Sequence, residues 1–171
     1  MKLIISLIVA ALVAAPAIAS VDAGVVRSER IYFVMVDRFE NGDATNDRGL
    51  AQGDRATTGF DPTEPGFFHG GDLRGLTKRI DYIASLGFTA IWITPVARQV
   101  TVSPSAESAA YHGYWGAGFD EVDPHFGTIS EMKEFVDKAH SAGLKVYLDV
   151  VLNHTGDLIS YIEGASYVSL D

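Results

Sequence analysis

Apolar residues along the chain form two kinds of pattern, short unbroken runs and stripes with helical spacing. Runs rich in β-branched and aromatic residues predict buried strands at 31–36, 90–93 and 145–152. Stripes at intervals of three and four predict two helices between them, the first capped by Asp72 and ended by Gly87. The second follows the capping box at 128–131 and ends at Gly143. The order strand, helix, strand, helix, strand predicts an α/β fold with a parallel sheet and right-handed crossovers.

The connections between these elements differ greatly in length. Each predicted helix reaches the next strand through about two residues, whereas each strand reaches the next helix through more than about 30. The long loops therefore gather at the carboxyl ends of the strands, which is the face that carries the active site in α/β barrels. A TIM (β/α)8 barrel needs eight strands and typically about 250 residues. The pattern leaves two folds open, a small open α/β domain and the first part of a barrel.

The first 19 residues have the pattern of a secretory signal peptide. Lys2 gives a positive start, an apolar stretch follows, and Ala17-Ile18-Ala19 is a small-x-small cleavage signal before Ser20. The apolar stretch is shorter than the roughly 20 residues of a membrane-spanning helix, and no later stretch is long enough. We therefore expect secretion to the extracellular space or the periplasm, with 20–171 as the mature chain and no membrane association after cleavage.

Charge and cysteine content narrow the possible partners. The chain has 13 Lys and Arg against 22 Asp and Glu, a net charge of −9, so it lacks the basic surface that nucleic acid binding requires. Cysteine is absent, so no disulfide can support the exported chain. Any stabilisation beyond packing would have to come from a metal ion.

An aromatic cluster lies in the loop after the second predicted strand. Residues 111–115 read Tyr-His-Gly-Tyr-Trp. Flat rings with polar edges suit sugars, because the CH faces of a sugar stack on a ring while its hydroxyls form hydrogen bonds. An aromatic core that only anchors the loop would have the same composition, so the pattern alone leaves both interpretations open.

The loop after the first predicted strand is crowded with short oxygen-bearing side chains. Residues 41–47 read Asn-Gly-Asp-Ala-Thr-Asn-Asp, and the His-Gly-Gly-Asp stretch at 69–72 could add a backbone carbonyl and a carboxylate. Hard cations such as calcium take roughly six to eight oxygen ligands, although the spacing is not that of an EF-hand. A solvated turn favours the same residues, and Asp72 also suits a helix cap.

Two acidic residues lie at or inside predicted strands. Strand alternation would place Asp149 on one face with Asn153, and a buried carboxylate there needs a partner. His154 falls where the strand ends and the active face begins. A structural role for Asp149 and His154 is as reasonable as a functional one. Asp37 and Arg38 follow the first strand directly, which predicts a local ion pair or hydrogen bond that orders the loop.

Taken together, these segments resemble the α-amylase family, glycoside hydrolase family 13. Residues 149–154, Asp-Val-Val-Leu-Asn-His, are similar to the family's first signature motif at the third barrel strand. Residues 110–115 resemble its loop after the second strand, and 31–47 resemble its first strand and following loop. The resemblance implies that 20–171 is the amino-terminal part of a TIM (β/α)8 catalytic domain, ending before the fourth strand.

The resemblance implies a role for each matching residue of the aromatic loop and the third strand. Tyr114 and His154 would contact the sugar next to the scissile bond, Tyr114 by stacking. His112 and Trp115 would contact the next sugar outward. Asp149 would be buried and structural, paired with an arginine on a later strand. The implied substrate is an α-glucan, either starch or a maltooligosaccharide.

The resemblance also implies calcium as a cofactor. Asn153 would bind the ion between the barrel and the inserted B domain. The first loop is most similar to that of cyclodextrin glucanotransferases, in which it binds a further calcium ion. The positions that match those ligands are Asn41, Asp43, Asn46, Asp47, the Gly70 carbonyl and Asp72. Asn41 stands where those enzymes usually carry Asp, so one negative charge is absent.

The family's catalytic residues are not among the matching positions. Members retain anomeric configuration with a carboxylate nucleophile and a carboxylic acid/base, assisted by a third carboxylate, and all three lie on the fourth, fifth and seventh strands. We therefore expect no turnover by these 171 residues alone, although the full-length enzyme would be a secreted, calcium-dependent α-glucan hydrolase. The alternatives are a cyclodextrin-forming transglycosylase of the same family, a non-catalytic sugar-binding module, and a truncated reading frame without independent function.

Overall fold

The computed structural model describes residues 28–158, so the predicted signal peptide lies outside the described residues. The strands are β1 (Ile31–Val34), β2 (Ala90–Ile93), β3 (Ala97–Gln99), β4 (Gly116–Val122) and β5 (Lys145–Leu148). The helices are α1 (Arg55–Thr58), α2 (Leu73–Lys78), α3 (Ile80–Ser85) and α4 (Ile129–Ser141), with a 3-10 turn at Val36–Arg38. Among these helices none has the length and apolar character needed to cross a membrane.

The main sheet is parallel, with the strand order β1-β2-β5. Both pairings are in register, with Ile31 opposite Ala90 and Ala90 opposite Lys145. Because a helical layer connects each strand to its parallel neighbour, the arrangement is the α/β fold that the sequence predicts. The capping box at the start of α4 is also confirmed, with Thr128 and Glu131 satisfying each other's backbone amides.

One face of the sheet and the helices enclose the core. Val34, Ile91 and Ile93 pack in one buried cluster with apolar residues of α2, α3 and α4. The opposite face carries Phe33 and Trp92, whose rings meet edge to face at 5.6 Å and are 53% and 41% exposed. In an eight-stranded barrel the face opposite the helices is the one that points inward.

Three predicted boundaries are wrong. The single helix predicted between Asp72 and Gly87 is two helices, because the backbone at Arg79 leaves helical geometry (φ −97°, ψ 4°) while its side chain binds Glu40 of the first loop at 2.8 Å. The first strand ends at Val34 because the chain turns into the 3-10 segment. The third parallel strand ends at Leu148, where its neighbour β2 also ends, and Pro95 has no N–H to extend the ladder.

The two long loops leave the carboxyl ends of β1 and β2, as predicted. The first loop carries the 3-10 turn and α1, and the second folds partly into the antiparallel pair β3 and β4. The sequence did not predict this hairpin, since β4 contains two glycines and few β-branched residues. The predicted pairing of Asp37 with Arg38 is confirmed by a 2.9 Å contact between the carboxylate and Nε.

Asp37 also connects the start of the first loop to its end. Its carboxylate is buried and accepts the backbone N–H groups of His69 at 2.9 Å and Gly70 at 3.1 Å. Burial raises the pKa of Asp37 to about 6, although these donors and Arg38 favour the ionised form. The Asp37 carboxylate therefore helps to hold the two ends of the loop together.

Candidate functional site

The aromatic loop lies over the carboxyl ends of the parallel strands, where it meets the segment after β5. The Tyr114 hydroxyl donates to Asp149 Oδ2 at 2.8 Å, and Trp92 Nε1 donates to the same oxygen at 3.3 Å. His154 Nε2 lies 3.0 Å from the Tyr114 carbonyl oxygen. The structure therefore brings together three of the residues predicted from sequence, which come from two different loops.

His112 organises the rings of this cluster. Its ring stacks on Tyr114 at 5.7 Å and 20°, and meets Trp115 edge to face at 5.0 Å. Burial, with a smaller contribution from the Arg38 charge, lowers the pKa of His112. Its Nδ1 accepts the Tyr114 N–H at 3.0 Å, so the neutral ring carries its proton on Nε2, where it can donate to a sugar hydroxyl.

Two features fix the shape of the aromatic loop. Gly113 has a φ of +86°, and a Cβ at this position would lie 2.0 Å from the Pro95 carbonyl oxygen. Arg38 of the first loop places its guanidinium 3.9 Å from the centre of the Tyr111 ring. The same guanidinium donates to two backbone carbonyls near the end of the first loop, at 2.8 and 2.7 Å. Through Arg38, the first loop therefore packs against the aromatic loop.

Asp149 differs from its predicted setting. It follows β5 instead of lying inside a strand, and it is partly exposed. Its partners among the described residues are Tyr114 and Trp92, where the resemblance implied an arginine. Within residues 28–158 the aromatic loop contacts Asp149 but leaves its neighbours Leu148 and Val150 55% and 62% exposed. Burial and Asp149 raise the pKa of Tyr114 to about 12, which keeps its hydroxyl a donor.

A cleft of about 880 Å³ opens beside this cluster. Its polar lining includes Asp149, His154, Asp120 and Glu121, and residues from β2, β4 and the start of α4 contribute most of its apolar lining. The rings of His112, Tyr114 and Trp115 adjoin the cleft but are not among its lining residues. A volume of this order accommodates an oligosaccharide segment, since ligand pockets measure roughly 300–1,000 Å³. The arrangement can hydrogen-bond the hydroxyls of a sugar through these polar side chains and pack its CH faces on the apolar lining, beside the aromatic cluster.

The oxygen-rich first loop is organised around Asp72, which is fully buried. Its carboxylate accepts the backbone N–H groups of Gly42 at 3.0 Å, Asp43 at 2.7 Å and Gly75 at 2.6 Å. The contact to Gly75 caps α2, as the sequence predicts. The other two contacts fasten the 41–47 segment to the start of this helix.

The polar side chains of this loop converge without neutralising one another. Asn41 Nδ2 donates to Asp47 Oδ1 at 2.7 Å, whereas the buried Asn46 Oδ1 has no hydrogen-bond partner. Burial raises the pKa of Asp47, and the nearby carboxylates of Asp72 and Asp43 raise it further. A buried oxygen without a donor beside mutually repelling carboxylates is an environment that favours a cation.

Gly70 completes this convergence. A Cβ at Gly70 would lie 2.6 Å from both the Asp47 carboxylate and the Asn41 amide, so its backbone closes against the two side chains. One contact competes with metal binding, because Asp43 Oδ2 is already paired with Arg74 at 2.8 Å. No group of three or more acidic or histidine side chains in the described part of the chain has the arrangement of metal ligands.

Asn153, the remaining predicted calcium ligand, is exposed and makes no hydrogen bond within the described range. Sequence reasoning also missed residues that the structure places beneath the aromatic loop. His125 and Asp123 are buried and paired at 2.8 Å. Their contacts with Gln99 and with the first loop span long stretches of sequence, so no local spacing marks them.

Comparison with known proteins agrees with this geometry. The family description "Alpha amylase, catalytic domain" matches residues 33–168. An alpha-amylase of Streptomyces lividans is 46% identical over 137 residues, which are 79% of this chain and 15% of that protein. A cyclomaltodextrin glucanotransferase of Klebsiella oxytoca is 41% identical over 131 residues, 75% of this chain and 19% of that protein.

Solved structures show the same relationship. A cyclomaltodextrin glucanotransferase with a three-domain ABC distribution superposes with a TM-score of 0.67 at 46% identity, covering 75% of this chain and 26% of that one. An alpha-amylase from Geobacillus thermoleovorans, complexed with acarbose, gives 0.59 at 43% identity, covering 75% of this chain and 24% of that one.

The fold and these comparisons define a protein built on an α/β barrel. The chain belongs to the α-amylase family of glycoside hydrolases, and its three parallel strands are the amino-terminal part of that family's TIM barrel. The chain spans about 15% of the length of the Streptomyces relative and about a quarter of the solved structures.

Proposed function

We propose that the chain carries sugar-contacting residues of a secreted, retaining α-glucan hydrolase. The observation that carries this proposal is the cluster of Tyr114, Asp149 and His154 beside the cleft, with His112 stacked on Tyr114. Solved relatives are described in complex with acarbose, maltose and maltotriose. The pattern of residues 1–19 and a relative named as a periplasmic alpha-amylase support export.

A cyclodextrin-forming transglycosylase is the second candidate. It is favoured by the 46% identity to a cyclomaltodextrin glucanotransferase structure and by the ligand-like first loop. Hydrolase and transglycosylase share the same donor-sugar contacts and differ in whether water or a second sugar accepts the glycosyl group. The described cluster serves either reaction, because it contacts the donor side.

Binding without turnover is the behaviour we propose for these 171 residues. A retaining glycosidase needs two carboxyl groups about 5 Å apart across the scissile bond. Asp149 Oδ2 receives hydrogen bonds from Tyr114 and Trp92, which suits a positioning role for this carboxylate. In the matched family pattern, the catalytic carboxylates fall outside the positions that this chain shares.

The sugar site is tested by truncating the stacking ring. We expect Tyr114→Ala to weaken maltotriose binding by about tenfold, because the ring and its hydrogen bond to Asp149 are both removed. Tyr114→Phe should lose less, since the ring remains. Titration calorimetry measures both, with Tyr82→Ala as the control because that exposed tyrosine lies on α3. Equal affinities for the two alanine variants would contradict the site, and release of reducing ends from starch would contradict the absence of turnover.

We also propose that the first loop binds a calcium ion. The residues that would hold it are Asn41, Asp43, Asn46, Asp47, Asp72 and the Gly70 carbonyl. The buried, unpaired Asn46 Oδ1 and the raised pKa of Asp47 support this proposal. Calcium would neutralise the carboxylates and hold in place the loop whose ends Asp37 joins, a structural contribution without a role in bond cleavage.

Asp47→Asn separates calcium binding from general stability. We expect calcium at a hundredfold excess over its dissociation constant to stabilise the native chain by about 2.7 kcal/mol. The variant should lose this effect, yet be at least as stable as the native chain in chelator, because a repelling charge is removed. Melting temperatures with calcium and with chelator measure both changes. Asp81→Asn, an exposed carboxylate on α3, is the control, and an equal calcium effect in both variants would refute the site.

A further inference from the structure

We propose that His125 is a positioning residue for the sugar-binding loop. Together with Asp123 and Gln99 it forms a buried polar chain that connects the first loop to the backbone of Trp115. The functional consequence rests on the sugar site proposed above, whereas the positioning itself can be measured without any sugar.

The His125 ring is fixed on every side. It is 4% exposed and stacks on Phe68 with a centroid distance of 3.9 Å and an interplanar angle of 4°. Nδ1 lies 2.8 Å from Asp123 Oδ1, and Nε2 lies 2.8 Å from the Thr58 carbonyl oxygen. A Cβ at Gly49 would lie 2.2 Å from Cε1. Three parts of the first loop thus enclose a ring that belongs to the second.

Asp123 connects the His125 ring to β3. It is 1% exposed, and its Oδ1 also accepts the backbone N–H of His125 at 3.0 Å. Its Oδ2 accepts the backbone N–H of Gln99 at 2.9 Å. Because both oxygens are engaged and buried, rotation of this carboxylate would leave at least one amide without a partner.

Gln99 makes the last connection to the aromatic loop. Its Oε1 accepts the backbone N–H of Trp115 at 2.7 Å, while its Nε2 donates to the Ala97 carbonyl at 2.7 Å. The side-chain amide is therefore oriented by one contact and orients Trp115 by the other. Trp115 in turn meets the His112 ring edge to face. The chain from the Thr58 carbonyl to the aromatic cluster is continuous.

A purely structural role for His125 would have a different signature. If the ring served only as apolar filling against Phe68, a phenyl ring would replace it and the aromatic loop would be unchanged. If it acts through its hydrogen bonds, His125→Phe should disturb Trp115 although the stacking surface remains. The loss of two bonds to buried acceptors corresponds to roughly a tenfold or larger effect on a coupled equilibrium.

The experiment uses Trp115 as the reporter. Trp92→Phe leaves it as the only tryptophan, since the chain has two. In this background, acrylamide quenching of Trp115 emission is measured for His125→Phe, Gln99→Ala and the double variant. Maltotriose affinity and melting temperature are measured for the same variants with Trp92 retained, because Trp92 donates to Asp149. We expect each single change to raise the quenching constant about twofold and to weaken maltotriose binding by about tenfold, with the double variant no worse than either single one.

Phe135→Leu is the matched control, because it loosens the buried core of α4 away from the polar chain. It should lower the melting temperature and leave Trp115 quenching unchanged. The proposal is overturned if His125→Phe behaves like Phe135→Leu, or if the effects of His125→Phe and Gln99→Ala simply add. Should His125→Phe fail to fold, Gln99→Ala and Asp123→Asn decide by the same quenching test.

Absence of maltotriose binding in the unsubstituted chain would refute the proposed sugar site. The quenching constants would still decide whether His125 positions Trp115, so the two failures are distinguishable.

Discussion

Replacing Asp72 with alanine is expected to lower the free energy of unfolding by about 4 kcal/mol. This fully buried carboxylate accepts three backbone N–H groups, from Gly42, Asp43 and Gly75. Loss of the helix cap accounts for about 1 kcal/mol, and each of the other amides left without a partner adds roughly 1–3 kcal/mol. Denaturant unfolding with calcium chelated measures the change without any contribution from the metal.

Asp54→Ala provides the comparison, because Asp54 caps α1 at an exposed position and accepts one amide. We expect this variant to lose about 1 kcal/mol. Asp72→Asn should fall between the two, since one acceptor oxygen remains. If Asp72→Ala lost no more stability than Asp54→Ala, then Asp72 would be an ordinary cap and the first loop would be fastened elsewhere.

The elements predicted correctly are those with a strong local signal. The capping box that begins α4 consists of side chains three residues apart, and the apolar run of β2 needs no partner to be recognised. The helix predicted before β2 is divided at Arg79, whose side chain binds Glu40 about 40 positions earlier in the chain, a contact that no local spacing marks. Strand β5 ends where its neighbour β2 ends, and the sequence of β5 alone carries no information about the end of β2.

In the candidate site, too, the sequence identified some residues and missed others. Resemblance to the family named Tyr114, His154 and Asp149, and the structure brings them together. The same resemblance implied a buried Asp149 paired with an arginine, whereas among residues 28–158 its carboxylate contacts Tyr114 and Trp92 and stays partly exposed. His125 was unremarkable in the sequence because its Thr58 contact crosses 67 positions. Pairings across long loops are determined by tertiary structure, so neither periodicity nor local spacing can reveal them.

Gly113→Ala is the substitution we expect to affect the aromatic loop most directly. The residue has a φ of +86°, which an L-residue with a Cβ adopts at a cost of roughly 1–2 kcal/mol. In addition, the new Cβ would lie 2.0 Å from the Pro95 carbonyl oxygen, a backbone atom at the end of β2. Overpacking of this kind adds about 1–3 kcal/mol, so we expect a total loss of about 3 kcal/mol in denaturant unfolding.

Gly66→Ala is the control, because its φ is not positive and the nearest atom to its Cβ would be 3.7 Å away. That variant should unfold within about 0.5 kcal/mol of the native chain. Gly113→Ala should also weaken maltotriose binding, since relief of the clash moves His112 and Tyr114 away from Asp149 and the cleft. Native stability together with native affinity in Gly113→Ala would show that the loop accepts another backbone path. The close approach of Gly113 to Pro95 would then not be what places the Tyr114 ring beside the cleft.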